Sequence, residues 1–266
     1  MNTSRVAAPT PLVSVILAVY NQLDSVEEAV NSIRNQTYTA WELVIVDDGS
    51  TDGTADKLAA LEREDPRIRL LRNPVNRGLG ASLNLGWTQA RGTLIARMDA
   101  DDVSLPGRLA RQVAFMNDHP EVAVLGGGAE LVDRAGRCLG IALRPECHEE
   151  LAARIFREVP HIHPTVMMRR HFLEEMGGYD ARVVRAEDSD LWLRAYRRFR
   201  LHNLREPLIR YRLPGRPTWS TIWGGTSMLL HTAVRQGPLL RFVWAAGRFA
   251  TACLLHKAGL RETRLR

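Results

Sequence analysis

Residues 94–102 read Leu-Ile-Ala-Arg-Met-Asp-Ala-Asp-Asp, an apolar run that stops at three carboxylates, Asp99, Asp101 and Asp102. A run this short and apolar has the pattern of a strand buried on both faces, as in a parallel sheet. Three acids at its C-terminal end repel one another and gain nothing from a core, so something cationic is expected beside them. In an open α/β sheet the carboxyl ends of the strands border the ligand crevice, which puts these acids where a divalent metal carrying a phosphorylated ligand binds. A second run ends the same way, with Leu43-Val44-Ile45-Val46 leading into Asp47-Asp48-Gly49-Ser50.

Upstream, residues 12–19 form a further buried strand that ends at Tyr20-Asn21. A helix follows, because Ser25 with Glu28 has the spacing of a capping box and Val26, Ala29, Val30 and Ile33 repeat at helical period, stopping near Asn35. After the Asp-Asp-Gly-Ser turn a helix carries Leu58 and Leu61 until Asp65-Pro66 breaks it, and residues 68–71 make the next strand. Asn76-Arg77-Gly78-Leu79-Gly80 then loops into a helix through Leu83, Leu85 and Trp87 that hands over to the acidic strand. Strand and helix alternate four times, which predicts an α/β, mostly parallel, doubly wound sheet flanked by helices.

Downstream, Pro106 suits the first turn of a helix reaching Met116, and residues 122–126 read as a strand. Asp133-Arg134-Ala135-Gly136 has hairpin-turn chemistry, and residues 149–158 read as a helix. A strand is expected at 163–168, a short helix at 170–176 closed by Gly177-Gly178, and another helix at 189–198 just after Ala186-Glu187-Asp188. The chain divides into an N-terminal tail (1–11), a first half (12–105), a second half (106–214) and a basic, Trp-rich helical extension (215–266).

The 266 residues are 45% hydrophobic and 25% charged, enough for one large domain with an appendage. Net charge is +6, but residues 215–266 alone carry +7, leaving the rest near neutrality. A neutral body with a basic tail is not the distributed basic face of a nucleic-acid binder. No stretch has signal-peptide form or the roughly 18 uncharged apolar residues of a membrane span. Three cysteines without C-x-x-C spacing fit reduced thiols, hence a cytoplasmic protein, and Cys147-His148 with His161 and His163 matches no common zinc pattern. The tail, with Trp219, Trp223 and Trp244 among arginines, has the composition of a segment that lies at a membrane interface through 219–260 or packs back on the body.

Taken in order, Val-Ser-Val-Ile-Leu-Ala-Val-Tyr-Asn, Val-Asp-Asp-Gly-Ser-Thr-Asp-Gly-Thr, Asn-Arg-Gly-Leu-Gly, Met-Asp-Ala-Asp-Asp with Pro106, Gly-Gly-Tyr-Asp and Ala-Glu-Asp-Ser-Asp-Leu-Trp-Leu-Arg closely resemble the family 2 glycosyltransferases of GT-A fold, over about residues 12–212. The resemblance implies an inverting transfer from a nucleoside diphosphate sugar, with uridine favoured, to a hydroxyl on a glycan or lipid-linked glycan. It implies that Tyr20 stacks on the base and Asp48 bonds its polar edge, with Asp47 as a neighbour sharing that task. It places Asp99 near the ribose and Asp101 on Mg²⁺ or Mn²⁺ bridging the diphosphate, with Asp102 assisting. Asp188 is then the catalytic base, with Glu187 as the alternative, Asp190 a helix-start residue and His163 near the acceptor or diphosphate.

Two departures stand out. Leu83 precedes Asn84 where many relatives carry a nucleotide-touching arginine, leaving Arg77 as a substitute, and residues 127–160 match no acceptor signature. Two other enzyme classes fit less well. A dinucleotide oxidoreductase requires G-x-G-x-x-G after the first strand, where Tyr20-Asn21-Gln22 stands, and a nucleotidyltransferase requires a basic Gly-rich loop there. A non-catalytic descendant of the same fold has no physical reason to keep Asp101 and Asp188 together.

Overall fold

The computed structural model describes residues 11–183 and 185–213, so the helical extension and the membrane expectation for 219–260 lie outside the described residues. In chain order the elements are β1 (Val13–Val19), α1 (Val26–Arg34), β2 (Trp41–Asp47), α2 (Thr54–Glu64), β3 (Ile68–Arg72), α3 (Leu79–Gln89), β4 (Leu94–Asp99) and β5 (Val103–Ser104). There follow α4 (Arg108–Asp118), β6 (Val122–Val132), β7 (Cys138–Ala142), α5 (His148–Arg154), a 3₁₀ turn (His163–Thr165), β8 (Met167–Arg169), α6 (Arg170–Met176), α7 (Glu187–Ala195) and β9 (Arg200–Arg212).

One sheet runs in the order β3-β2-β1-β4-β8-β6-β9-β5, with β7 paired to β6. The first four strands are parallel, as the alternating pattern predicts, while β8 runs antiparallel to both β4 and β6. In β1 the residues Val13, Val15, Leu17 and Val19 pack with α1, α2 and α4 on one face, and Ile16 packs with α3 on the other. That two-residue period is the geometry of a strand with both faces covered. The second face is closed by α3, α6 and α7, with Phe172 and Trp192 fully buried, each worth roughly 2–3 kcal/mol of burial. No described helix is long and apolar enough to cross a membrane.

Four local expectations are corrected. Ser25 precedes α1 but caps nothing, because its hydroxyl donates to Gln22 Oε1 at 3.0 Å instead. The strand expected at 163–168 is a 3₁₀ turn followed by β8, since Pro164 removes the backbone donor that a ladder there needs. α5 ends at Arg154, short of the expected 158. α7 starts at Glu187, two residues early, because Ala186 adopts a left-handed conformation (φ 60°) that turns the chain into the helix.

Strand β9 was not legible in the sequence. Its arginines and Pro207 argue against a thirteen-residue strand, yet it pairs parallel with β6, with register shifts beside the Gly127–Gly128 pair opposite Pro207. A proline in a sheet sits at such an irregularity because it has no N–H for the ladder.

Candidate active site

Parallel pairing brings three strand ends together. Ala18 of β1 lies opposite Asp99 of β4, and Val19 opposite Asp47 of β2, so the two acidic ends flank the end of β1. There Tyr20 is 45% exposed, and Asn21 holds a positive φ of 51°. The loop after β1 is laced to the loop after β2: Asn21 N donates to Ser50 Oγ at 3.0 Å and Thr51 N to Asn21 Oδ1 at 2.9 Å.

Asp47 and Asp48 are both buried and have different work. Asp47 Oδ1 accepts from Ser50 N at 3.0 Å, closing its own turn. Asp48 reaches across to the loop after β3, where Oδ1 accepts from Asn73 Nδ2 (2.7 Å) and Arg77 N (2.9 Å) and Oδ2 from Gly78 N (2.9 Å). Asp48 thereby shapes the Asn76–Gly80 loop. Arg77 takes part through its backbone, and its side chain is exposed.

Two arginines border the β4 acids, one of them ion-paired to Asp99. Arg97 is only 3% exposed, and its guanidinium forks onto both carboxylate oxygens of Asp99, NH1 to Oδ2 at 2.8 Å and NH2 to Oδ1. Arg212, at the end of β9, donates its backbone N–H to Asp102 Oδ1 (3.0 Å) and its Nε to the Asp101 carbonyl (3.1 Å). Asp99, Asp101 and Asp102 each offer an oxygen within 4.8 Å of the others. Asp102 Oδ2 is buried and has no hydrogen-bond partner among the described residues. Burial, then the charge of Asp99, pushes the Asp102 carboxyl up to about 8, and the same causes raise Asp101. A cluster of hard oxygen donors that includes a buried carboxylate oxygen without a partner fits Mg²⁺ or Mn²⁺.

The third group of acids stands on the first turn of α7, whose N-terminal dipole favours them. Glu187 is buried and Asp188 half-buried. Burial first, and the neighbouring Asp188 second, push the Glu187 carboxyl up to about 7, while burial raises Asp188. His163 lies behind them, its Nε2 at 2.9 Å from the Tyr179 hydroxyl and its Nδ1 at 3.9 Å from Glu187 Oε1. Burial and Arg97 keep that histidine neutral. Asp190 is buried one turn on and ion-paired to Arg194 (2.7 Å), which also binds the carbonyls of Met176 and Gly178. It braces the α6–α7 connection in addition to its place near the helix start.

A cavity of about 360 Å³ joins these parts, with Arg97 and Asp99 on one side, His163, Glu187 and Asp188 on another, and Tyr211 of β9 in its wall. Sequence reasoning did not single out Arg97, Asn73 or Tyr211, while Tyr179 stood in the Gly-Gly-Tyr-Asp motif and His161 was weighed only as a zinc ligand. For Arg97 a signal existed: a cation inside an apolar strand, two residues before an acid, shares that acid's face of the sheet.

The mixed α/β sheet with its flanking helices is the GT-A fold. The structure aligns with S. aureus TarS in complex with UDP-GlcNAc at a TM-score of 0.68 and 20% identity, covering 95% of this chain and 74% of that one. It aligns with the mannosyltransferase PcManGT from Pyrobaculum calidifontis, in complex with GDP-Man and Mn²⁺, at 0.66 and 22%, covering 96% and 77%. Residues 14–177 match the family described as Glycosyl transferase family 2, and the chain belongs to that family. Its relatives include the putative glycosyltransferase EpsE of Bacillus subtilis, 40% identical over 208 residues (76% of this chain, 73% of EpsE). Another is the O-antigen biosynthesis glycosyltransferase WbnJ of Escherichia coli, 31% identical over 211 residues (78% and 82%).

Proposed function

We propose that this protein transfers a sugar from a nucleoside diphosphate donor, a UDP-sugar first, to a hydroxyl of a bacterial surface glycan or its lipid-linked precursor, with inversion. The observation that carries the reading is the single cavity bordered by Asp99 and by Asp188. Asp188 takes the proton of the acceptor hydroxyl as that oxygen attacks the anomeric carbon and the bond to the diphosphate breaks on the opposite face. Glu187, beside it, is kept protonated to higher pH by burial and by the Asp188 charge.

Tyr20 stacks on the base, and Asp48 with Asp47 holds the loops that frame it. Asp99, clamped by Arg97, faces the ribose. Asp101 and Asp102 would hold Mg²⁺ or Mn²⁺, which neutralises charge on the departing diphosphate. The acceptor class is supported by relatives named for O-antigen and amylovoran biosynthesis. A peripheral position at the cytoplasmic face of the membrane, through 219–260, suits a lipid-linked acceptor.

The test is isothermal titration of UDP, GDP and dTDP with and without Mn²⁺, on the intact protein and on Asp101→Ala. One nucleotide binding only with metal, and losing that binding in the variant, is the expected result. Metal-dependent binding without donor hydrolysis or transfer would instead favour a non-catalytic descendant of the fold.

A further inference from the structure

Residues 127–160 match no acceptor signature, yet they supply Leu131, Ala142, Arg144 and Val159 to the wall of the cavity that Asp99 and Asp188 border. The placement of Arg144 follows from strand geometry. Ala142 of β7 pairs with Ala129 of β6, and residues two apart on an extended chain share a face, so Arg144 projects to the side of Ala142 and into the cavity. Leu143, between them, turns the other way and lies against β6, where a Cβ on Gly128 would come within 2.5 Å of its Cδ2. The next two residues are pinned to β9. Asn203 N donates to the Glu146 carbonyl at 3.0 Å, and Asn203 Nδ2 to the Pro145 carbonyl at 2.8 Å. The backbone that carries Arg144 is therefore held on both sides.

Arg144 is a cation without a counter-ion among the described residues. Glu158, whose charge it feels, is paired to Arg154 at 3.9 Å. Its one hydrogen bond, from NH1 to the Leu143 carbonyl, is 3.5 Å long and solvent-exposed, while Nε is buried and has no partner among the described residues. Burial pushes the guanidinium down, with Glu158 opposing, but an arginine keeps its charge near neutral pH. The other arginine of the cavity, Arg97, is committed to Asp99, and burial keeps His163 neutral. The terminal nitrogens of Arg144, at their exposed edge, are thus the positive group that this cavity still offers a ligand.

Around that charge the wall is apolar. Leu131, Ala142, Ile162 and Leu213 line the same cavity, and Val159 is 39% exposed at it. A guanidinium set in an aliphatic wall matches an anion carried on an apolar chain, and its planar fork suits phosphate oxygens. We propose that Arg144 binds the phosphate of an acceptor whose glycan is joined through that phosphate to a long aliphatic chain, the chain leaving the cavity past Val159. The inference rests on the transferase reading above and narrows its acceptor to the lipid-linked class.

The test measures binding of octyl phosphate by isothermal titration, with UDP and Mg²⁺ and again without them, to the parent, Arg144→Gln and Arg144→Lys. Octanol, inorganic phosphate and octyl glucuronide stand for the chain alone, the anion alone and a carboxylate on a sugar. The expected result is a rise of about tenfold in the Kd for octyl phosphate in Arg144→Gln and a smaller rise in Arg144→Lys. The Kd for UDP stays the same in all three, and the parent binds octyl phosphate more tightly than octanol or inorganic phosphate. Equal affinity for octyl phosphate in the parent and Arg144→Gln overturns the proposal. So does a parent that binds octanol as well as octyl phosphate, or that binds octyl phosphate in neither condition. Tighter binding of octyl glucuronide assigns Arg144 to an acidic sugar, and a UDP affinity that falls in Arg144→Gln assigns it to the donor; either result overturns the lipid-phosphate assignment. Absence of nucleotide binding to the parent defeats the transferase reading, and the titrations without nucleotide then decide on the phosphate site by itself.

Discussion

Arg97 and Asp99 stand two residues apart on one face of β4, and the guanidinium takes both oxygens of the carboxylate. The pair is set inside the sheet with Arg97 buried, so the first acid of the Asp-x-Asp element is held in one orientation before any ligand arrives. Its neighbour Asp102 lacks such a partner on Oδ2. The division of labour among the three acids follows from that difference: one is clamped, and the others keep oxygens for a cation.

Replacing Arg97 by methionine leaves Asp99 beside Asp101 and Asp102 with its fork removed. The expected loss is about 2–4 kcal/mol of stability, read by urea denaturation, because removing one partner of a buried ion pair strands the other. Arg97→Lys retains a charge without the two-pronged geometry and falls between the parent and Arg97→Met.

Glu187 and Asp188 give the protein a pH dependence of defined sign. Both carboxyls hold their protons more tightly in the folded chain than in the unfolded one, where a glutamate titrates near 4.5. The stabilisation from the protonated pair is complete below that value and is lost as pH rises through about 7. Stability therefore falls across that window, less so in Glu187→Gln, as denaturation at a series of pH values will record. Transfer rate moves the other way, since the base must be ionised.

Asp48→Asn turns an amide N–H₂ toward one of the N–H groups that Asp48 now accepts. A loss of about 2 kcal/mol is expected, with faster amide hydrogen exchange at Arg77 and Gly78 and weaker nucleotide binding. Unchanged exchange at those two amides would show that the carboxylate does not hold the loop.

Gly49→Ala is opposed twice. Its φ is +77°, and a Cβ there would lie 2.8 Å from the Val75 carbonyl carbon and 2.9 Å from Asn76 N, both backbone atoms. The expected cost is about 2–3 kcal/mol, seen as a lower Tm, with nucleotide binding weakened because the same loop is displaced.

Much of the fold is legible because its signals are local. Helix α6 runs from Arg170 to Met176 and closes on Gly177 with φ +68°, as expected from the Gly-Gly pair. Strand β4 ends at Asp99, where the apolar run meets the acids. What escaped the sequence is held by distant partners. Strand β9 pairs along β6, whose glycines lie where Pro207 interrupts the ladder. Arg97 went unremarked in the apolar run, and its burial beside Asp99 is set by the sheet.

The sequence by itself determined that acids stand at the ends of buried strands, because alternation, turn residues and apolar runs act over a few residues and need no partner. It also carried the order of motifs that marks the family. Only the tertiary structure decided which of those acids share a cavity and which one is clamped. Those properties depend on desolvation and on hydrogen bonds between segments brought together by the sheet order, β8 entering between β4 and β6 and β9 lying along β6. Burial and contact of that kind are made by the whole chain at once, and no short stretch of it encodes them.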